Sequence, residues 1–404
     1  MKFGLKAVSF LLILSYACSS KSGVNTECVT LDFVKAVKDA QVLEMSKYFS
    51  SVEYIPLETN RESSLGSVRL FTGCNGIYYF VSSNNQILSF NHCGEFKGKV
   101  GEQGKGPNEY SKIIDIDSDK TSGNLSILTS ERILVYDSNS NLMDNISLQK
   151  IKDVGMNYVY DFISEPDGYV VLTSKSDSIT CNQTEYCVLL NGEGSVETIC
   201  NVGELHRTPI IMMGQEGSVI INSKLYKRGG STVNLIKGDF SKIYSIKEGE
   251  KSVVYNIDFG KYGDLRNNSN PREKLLISEA IGCDRFFLIT FLFPNSQFPV
   301  ICNGAEVLSG GVILYDCEES RLYALKNIPE IRKVAFKNDL DEGMPFYPYL
   351  LTSDGKFVCI VDAINFMEYA KIYDNPKMKE LAGTLTEESN PVMVVATPKG
   401  ETGK

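Results

Sequence analysis

From Val52 onward the chain is a succession of short apolar runs separated by clusters of Gly, Asn, Asp and Ser. Runs of that length, bounded by turn-forming residues, read as strands, and their abundance predicts an all-β fold. The earlier part has a different texture. Residues 19–25 are small and polar and read as a tether, while Phe33, Val34, Val37, Val42 and Leu43 within 30–50 suggest a short helix. Near the other end, Asn375 followed by Pro376 places an N-cap and a first-turn proline at the start of a helix over 376–385.

The apolar runs repeat. A strand ending in an aromatic or apolar residue and then Asn or Asp recurs as Ile87-Leu-Ser-Phe-Asn91, Ile133-Leu-Val-Tyr-Asp137, Val188-Leu-Leu-Asn191, Ile313-Leu-Tyr-Asp316 and Ile372-Tyr-Asp374, with a weaker copy over 233–239. Asn and Asp suit that place because their side chains bond the backbone two residues on and nucleate the next turn. Upstream of each copy lies another turn, at Asn75-Gly76, Ser122-Gly123, Asp167-Gly168, Glu216-Gly217, Cys283-Asp284 and Asp354-Gly355. The first four turns are 47, 45 and 49 residues apart, and the later intervals are 67 and 71. A period in the forties that holds four strands is that of a β-propeller blade, and six copies predict six blades. The long intervals need insertions, for which 262–271, 294–311 and 336–349 are the candidates.

The first seventeen residues form a secretory leader, with Lys2 and Lys6 before the apolar stretch 7–14. It ends in Leu14-Ser15-Tyr16-Ala17-Cys18, which resembles a bacterial lipobox, so Cys18 is expected to carry lipid and become the first residue of the mature chain. The domain reading is therefore 1–17 signal peptide, 18–50 tether and lead-in, 51–397 propeller and 398–404 tail. Losing Lys2 and Lys6 takes the net charge from −9 to −11, the wrong sign for a nucleic-acid partner. Eleven cysteines minus Cys18 leave an even ten, without a CxxC spacing and mostly inside apolar runs. Most are expected as free buried thiols, and the best disulfide candidates are Cys181 with Cys187 and Cys74 with Cys93.

Three stretches carry a family resemblance: Ser51-Val-Glu-Tyr-Ile-Pro-Leu-Glu-Thr59, Val100-Gly-Glu-Gln-Gly-Lys-Gly-Pro-Asn-Glu-Tyr110 and Asn390-Pro-Val-Met-Val-Val-Ala396. With them the chain resembles the six-bladed β-propeller lipoproteins of Bacteroidetes-type bacteria, related in fold to NHL and TolB propellers, over roughly residues 45–397. The resemblance implies outer-membrane anchoring through Cys18. It also implies a ring closed by pairing 54–57 with 392–396, with Pro56, which cannot donate to a ladder, on an edge.

Candidate chemistry is sparse. Only two histidines occur, His92 and His206, both in turn-like surroundings and neither beside a plausible triad member. The glycines of 101–106 suggest a phosphate loop, but Gly106 stands where that loop needs Ser or Thr, so the stretch reads as a link between the first and second blades. Gln103, Lys105, Asn108, Glu109 and Tyr110 could line a channel mouth and are the candidate ligand contacts, with Tyr347 and Tyr349 as exposed aromatics or as packing for the last blade. Asp115, Asp117 and Asp119 begin like a calcium loop, yet Lys120 and Ser126 replace its Gly and Glu, so the acids read as the solvated face of a strand.

No cofactor and no metal are expected, and no catalytic residues are assigned. The leading expectation is a lipid-anchored binding or scaffold module in the cell envelope, for a protein or oligosaccharide partner. The alternative is a hydrolase or lyase with a metal and carboxylates such as Asp115, Asp161 and Glu279 converging on the central channel. The absence of Trp tilts the partner slightly towards protein.

Overall fold

The computed structural model describes residues 28–177, 182–205, 207–212, 215–220, 222–228, 232–237, 241–247, 250–260, 276–292, 299–302 and 305–400. They form a six-bladed β-propeller in which the innermost strands follow one another around an axis, the sixth lying against the first. Those inner strands are Val68–Cys74, Asp115–Ser118, Tyr158–Glu165, Lys224–Arg228, Leu276–Gly282 and Leu350–Leu351.

The apolar runs have a simple cause. In the first blade's second strand, Ile77–Ser82, Tyr78 and Phe80 pack towards the sixth blade with Val358 and Met393, while Tyr79 and Val81 pack towards the second with Ile116 and Leu125. A middle strand is thus buried on both faces and reads as continuously apolar rather than alternating. The same happens around the ring, where apolar clusters fill the spaces between successive blades.

The ring closes as expected. Phe49–Pro56 pairs antiparallel with Val392–Pro398, placing a strand from the start of the chain on the outer edge of the sixth blade, and Pro56 lies on that edge strand. Helix Pro376–Ala382 has Asn375 as its cap, the side chain accepting from Met378 N at 2.9 Å. The lead-in is more than a tether: Val29–Asp32 adds a parallel strand to the fourth blade's outer strand, Glu250–Asp258, and helix Phe33–Lys38 follows with Asp32 as its cap. Gln41 then bridges Leu325 beside the fifth blade, and Met45 N donates to Lys337 O at 2.9 Å.

Three copies of the repeat are misplaced. Ile372 ends helix Ala363–Ile372, whose N-cap Asp362 accepts from Asn365 N, and the sixth blade's third strand is Val392–Pro398 instead. Glu216 and Gly217 belong to an inserted hairpin, Arg207–Met212 with Gln215–Ile220, between the third and fourth blades. The fourth blade's first two strands are Lys224–Arg228 and Thr232–Ile236, so 233–236 lies in its second strand rather than its third. Of the expected disulfides, Cys74 and Cys93 are both free, one buried and one exposed, and Cys181 lies outside the described residues.

Closure is sealed by aromatic packing. The fully buried ring of Phe49 meets Phe286, Phe336, Phe346 and Phe357 edge-on at centroid distances of 5.6, 5.4, 5.4 and 5.5 Å, and Phe286 stacks on Phe357 at 5.0 Å. These rings come from the fifth blade, the sixth blade, the link between them and the start of the chain, so one side chain touches everything that has to meet. Phe49→Ala is expected to lower unfolding free energy by roughly 3 to 5 kcal/mol. Urea unfolding followed by far-UV circular dichroism checks this, with Phe96→Ala on the half-buried outer strand of the first blade costing distinctly less.

Candidate functional site

An inner strand has one edge without a neighbouring strand, and its N–H groups need acceptors from elsewhere. In the third and fourth blades the acceptors are carboxylates of the preceding blade. Asp117 Oδ2 accepts from Ser164 N, one blade on, at 2.8 Å, and Asp161 Oδ2 accepts from Leu225 N, again one blade on, at 2.8 Å. The aspartates at 115, 117 and 119 do alternate along their strand, but the wet face they line is the axial channel rather than the outer surface.

Asp117 is the centre of the arrangement. Lys227 of the fourth blade reaches past the third to place Nζ 3.0 Å from Asp117 Oδ2, both side chains largely buried. Ser353 Oγ of the sixth blade donates to Asp117 Oδ1 at 3.4 Å and lies 2.9 Å from Ser118 Oγ, which in turn is 2.9 Å from Thr72 Oγ1 of the first blade. Five of the six blades thus contribute to one polar network at the axis.

Beside it the carboxyls of Asp115 and Asp161 line the same cavity and act on each other electrostatically. Burial raises both, and the Asp161 charge raises Asp115 further, so Asp115 sits well above the ordinary carboxylate range and Asp161 is pushed up to about 6. Two adjacent carboxyls cannot both ionise cheaply, and the pair holds one proton between them. At the channel mouth Asp119 behaves oppositely. Burial works against its charge, but hydrogen bonds from Ser122 N and Oγ and from Thr121 N hold it below the usual range while fastening the turn. The cavity is about 290 Å³, half open, and its lining includes Lys120, Thr121, Glu165 and Gly355, where the inner strands turn back. Among the described residues no group of three His, Cys, Asp or Glu side chains is placed to hold a metal ion.

The candidate residues distribute as follows. The glycine-rich loop links the outer strand of the first blade to the inner strand of the second, and it lies over the second blade's outer strands: Pro107 O accepts from Arg132 and from Asn145 Nδ2, and Asn108 O from Tyr136 OH. Its glycines serve internal packing, since a Cβ on Gly104 would stand 1.8 Å from Glu109 Oε2, and Gly106 N donates to that same oxygen at 2.8 Å. Tyr110 is buried, Glu109 half-buried, and Gln103, Lys105 and Asn108 exposed, and none of the five lines the axial cavity. Tyr349 does line it, with its hydroxyl tied to Ile360 N and O at 3.3 Å. Tyr347 lines a neighbouring apolar cavity of about 170 Å³ and carries Lys333 Nζ 5.2 Å above its ring. Asp115 and Asp161, guessed as channel carboxylates, do come together. Glu279's side chain, His206 and Cys18 lie outside the described residues, and His92 is exposed on an outer turn of the first blade. Asp117 was visible in sequence only as one of three alternating acids, read there as a solvated face, and Lys227 and Ser353 carried no signal in their own neighbourhoods.

Fold and axial site together define a six-bladed β-propeller with a polar, carboxylate-rich channel. The chain belongs to the family described as Domain of unknown function (DUF4934), whose profile matches residues 28–397. A Bacteroides fragilis protein described as exported is 15% identical and superposes with a TM-score of 0.63, covering 92% of this chain and 99% of its own. A member of the DUF4221 family from Bacteroides vulgatus is 9% identical, with a TM-score of 0.39 and coverage of 87% and 97%. At these identities the first likeness speaks for the fold alone. No curated protein matches the chain.

The shared proton makes stability depend on pH. Above about pH 4, where the unfolded aspartates ionise, the native state holds more protons than the unfolded state, so stability falls as pH rises through about 6, where Asp161 ionises, and goes on falling while Asp115 keeps its proton, by up to about 1.4 kcal/mol per pH unit for each proton held. Asp115→Asn removes the like-charge partner and is expected to flatten that fall and to leave the variant more stable than wild type at pH 7. Urea midpoints measured from pH 4 to pH 7.5 check it, and parallel profiles for the two proteins would exclude a shared proton.

Proposed function

We propose that the protein is an exported, lipid-anchored binding or scaffold module of the cell envelope, which takes a protein or oligomeric ligand on the propeller face where the axial cavity opens. The observation that carries this reading is the mouth itself: Asp119, Lys120, Thr121 and Glu165 present charges and a hydroxyl around a cavity of about 290 Å³. Loops held by a rigid ring bind without needing a catalytic set. The leader, the lipobox-like Leu14-Ser15-Tyr16-Ala17-Cys18 and the resemblance to propeller lipoproteins support outer-membrane anchoring through Cys18.

A second reading, a hydrolase or lyase working in the channel, is favoured by one observation, that Asp115 and Asp161 both line the cavity, where burial raises each of them. A carboxyl pair with one proton near neutral pH can act as acid and base.

Two measurements test the first reading. Cys18→Ala is expected to move the protein from the membrane pellet to the soluble fraction and to abolish incorporation of a radiolabelled fatty acid. In intact envelopes, crosslinking is expected to enrich a partner over an unrelated lipoprotein, with capture reduced severalfold by Lys120→Glu combined with Glu165→Ala and unchanged by Asp115→Asn. Enrichment no greater than that of the unrelated lipoprotein would remove the binding reading. Accumulation of an uncleaved ligand on Asp115→Asn would favour the enzyme.

A further inference from the structure

Two thiols oppose each other in the third blade. Cys187, on Gln183–Asn191, and Cys200, on Val196–Leu205, are register partners in an antiparallel pair. Opposed residues project from the same face of a sheet. Accordingly Cys187, fully buried, and Cys200, half-buried, pack into one cluster with Leu172, Val202 and Leu235 between the third and fourth blades. Both are free thiols. Opposed antiparallel residues have Cα atoms about 4.5 to 5.5 Å apart, inside the span of about 4.4 to 6.8 Å that a disulfide accepts.

We propose that Cys187 and Cys200 close a cross-strand disulfide when the folded protein meets a disulfide-bearing thiol oxidant, fastening the outermost strand of the third blade to its neighbour. The more accessible Cys200 reacts first. Its thiolate attacks one sulfur of the oxidant's disulfide and expels the other as a thiolate, leaving a mixed disulfide. The Cys187 thiolate then attacks the Cys200 sulfur and expels the second oxidant thiolate. The two protein thiols lose two protons and two electrons, and the oxidant's disulfide becomes two thiols. Burial raises both thiols and slows these steps, while the Lys251 ammonium, whose Nζ donates to Asn201 O at 2.8 Å, lowers both. The bridge closes a short loop around the turn at Asn191, whose side chain already accepts from Glu193 N and Ser195 N, so the backbone it joins is held in place beforehand. This inference is independent of the proposed function.

The test uses the full mature chain equilibrated with oxidised or reduced dithiothreitol, acid-quenched, denatured, alkylated and mapped by mass spectrometry. The expected result in the oxidised sample is the loss of two alkylation sites and recovery of one peptide pair linked through Cys187 and Cys200. Amide exchange over 196–205 should also slow severalfold. Cys200→Ser, at a half-buried position that tolerates it, should leave Cys187 alkylatable, and Cys93→Ser should leave the bridge intact. The proposal is overturned if both thiols remain alkylatable in excess oxidant while circular dichroism shows a folded chain, or if Cys187 is recovered linked to Cys181.

Discussion

The rest of this structure depends on how the unpaired inner edges of the blades are satisfied. A blade has two edges, and the inner one faces a channel too narrow to admit another strand. In the third and fourth blades a carboxylate from the preceding blade accepts the exposed N–H, through Asp117 to Ser164 and Asp161 to Leu225. Hydrogen bonds to a charged acceptor are stronger than neutral ones, but each brings a negative charge to the axis. Lys227 offsets one such charge by ion pairing, and the Asp115–Asp161 pair offsets another by keeping a proton. The polar character of the channel is thus first a solution to a folding problem, and any ligand chemistry is built on top of it.

That origin explains which parts of the molecule could be read in advance. Middle strands are buried on both faces, so Ile77–Ser82 or Phe286–Leu292 stand out as apolar runs, and the turn leading into the first of them carries Asn and Gly for backbone reasons. Asn75 and Gly76 both adopt positive φ, the conformation such a turn needs. These signals are local, and they gave the strand content and the blade count, whereas the closing strand followed from the family resemblance. The errors arose where local texture is shared by different structures. Ile372-Tyr-Asp374 has the composition of a strand end but follows Asp362, whose side chain caps a helix, and the helix takes the whole apolar stretch. An inserted hairpin supplied Glu216-Gly217, a turn-like dipeptide at nearly the right spacing.

The candidate site was harder to read, because it is made of residues with small sequence signals and large separations. Asp117, Lys227 and Ser353 come from the second, fourth and sixth blades, and nothing in their immediate neighbours marks them. The alternating aspartates were visible, yet alternation shows only that one face of the strand is wet. Whether that wet face is the outside of the molecule or its axis is decided by the strand's rank within its blade. The glycine-rich loop misled in the opposite direction. Its glycines are conspicuous in sequence, but they make room for Glu109 and for Tyr136, whose hydroxyl a Cβ on Gly101 would approach to 2.6 Å.

The lead-in segment connects the proposed anchor to the ring. Val29–Asp32 lies on the outer edge of the fourth blade, and the chain continues past the fifth before it supplies the outermost strand of the sixth. A tether joined there pulls on the rim and not on the axis. Val29 lies eleven residues along from Cys18, and at about 3.5 Å per step a fully extended chain spans about 40 Å. A lipid at Cys18 would therefore hold the rim at the fourth blade within that distance of the membrane surface. With such an anchor attached at the side, the ring could lie with its axis along the membrane, and both mouths of the channel would stay open to the surrounding space. A binding role at the cavity mouth needs that geometry, since an anchor at the axial face would cover the very residues, Lys120 and Glu165, that surround the opening.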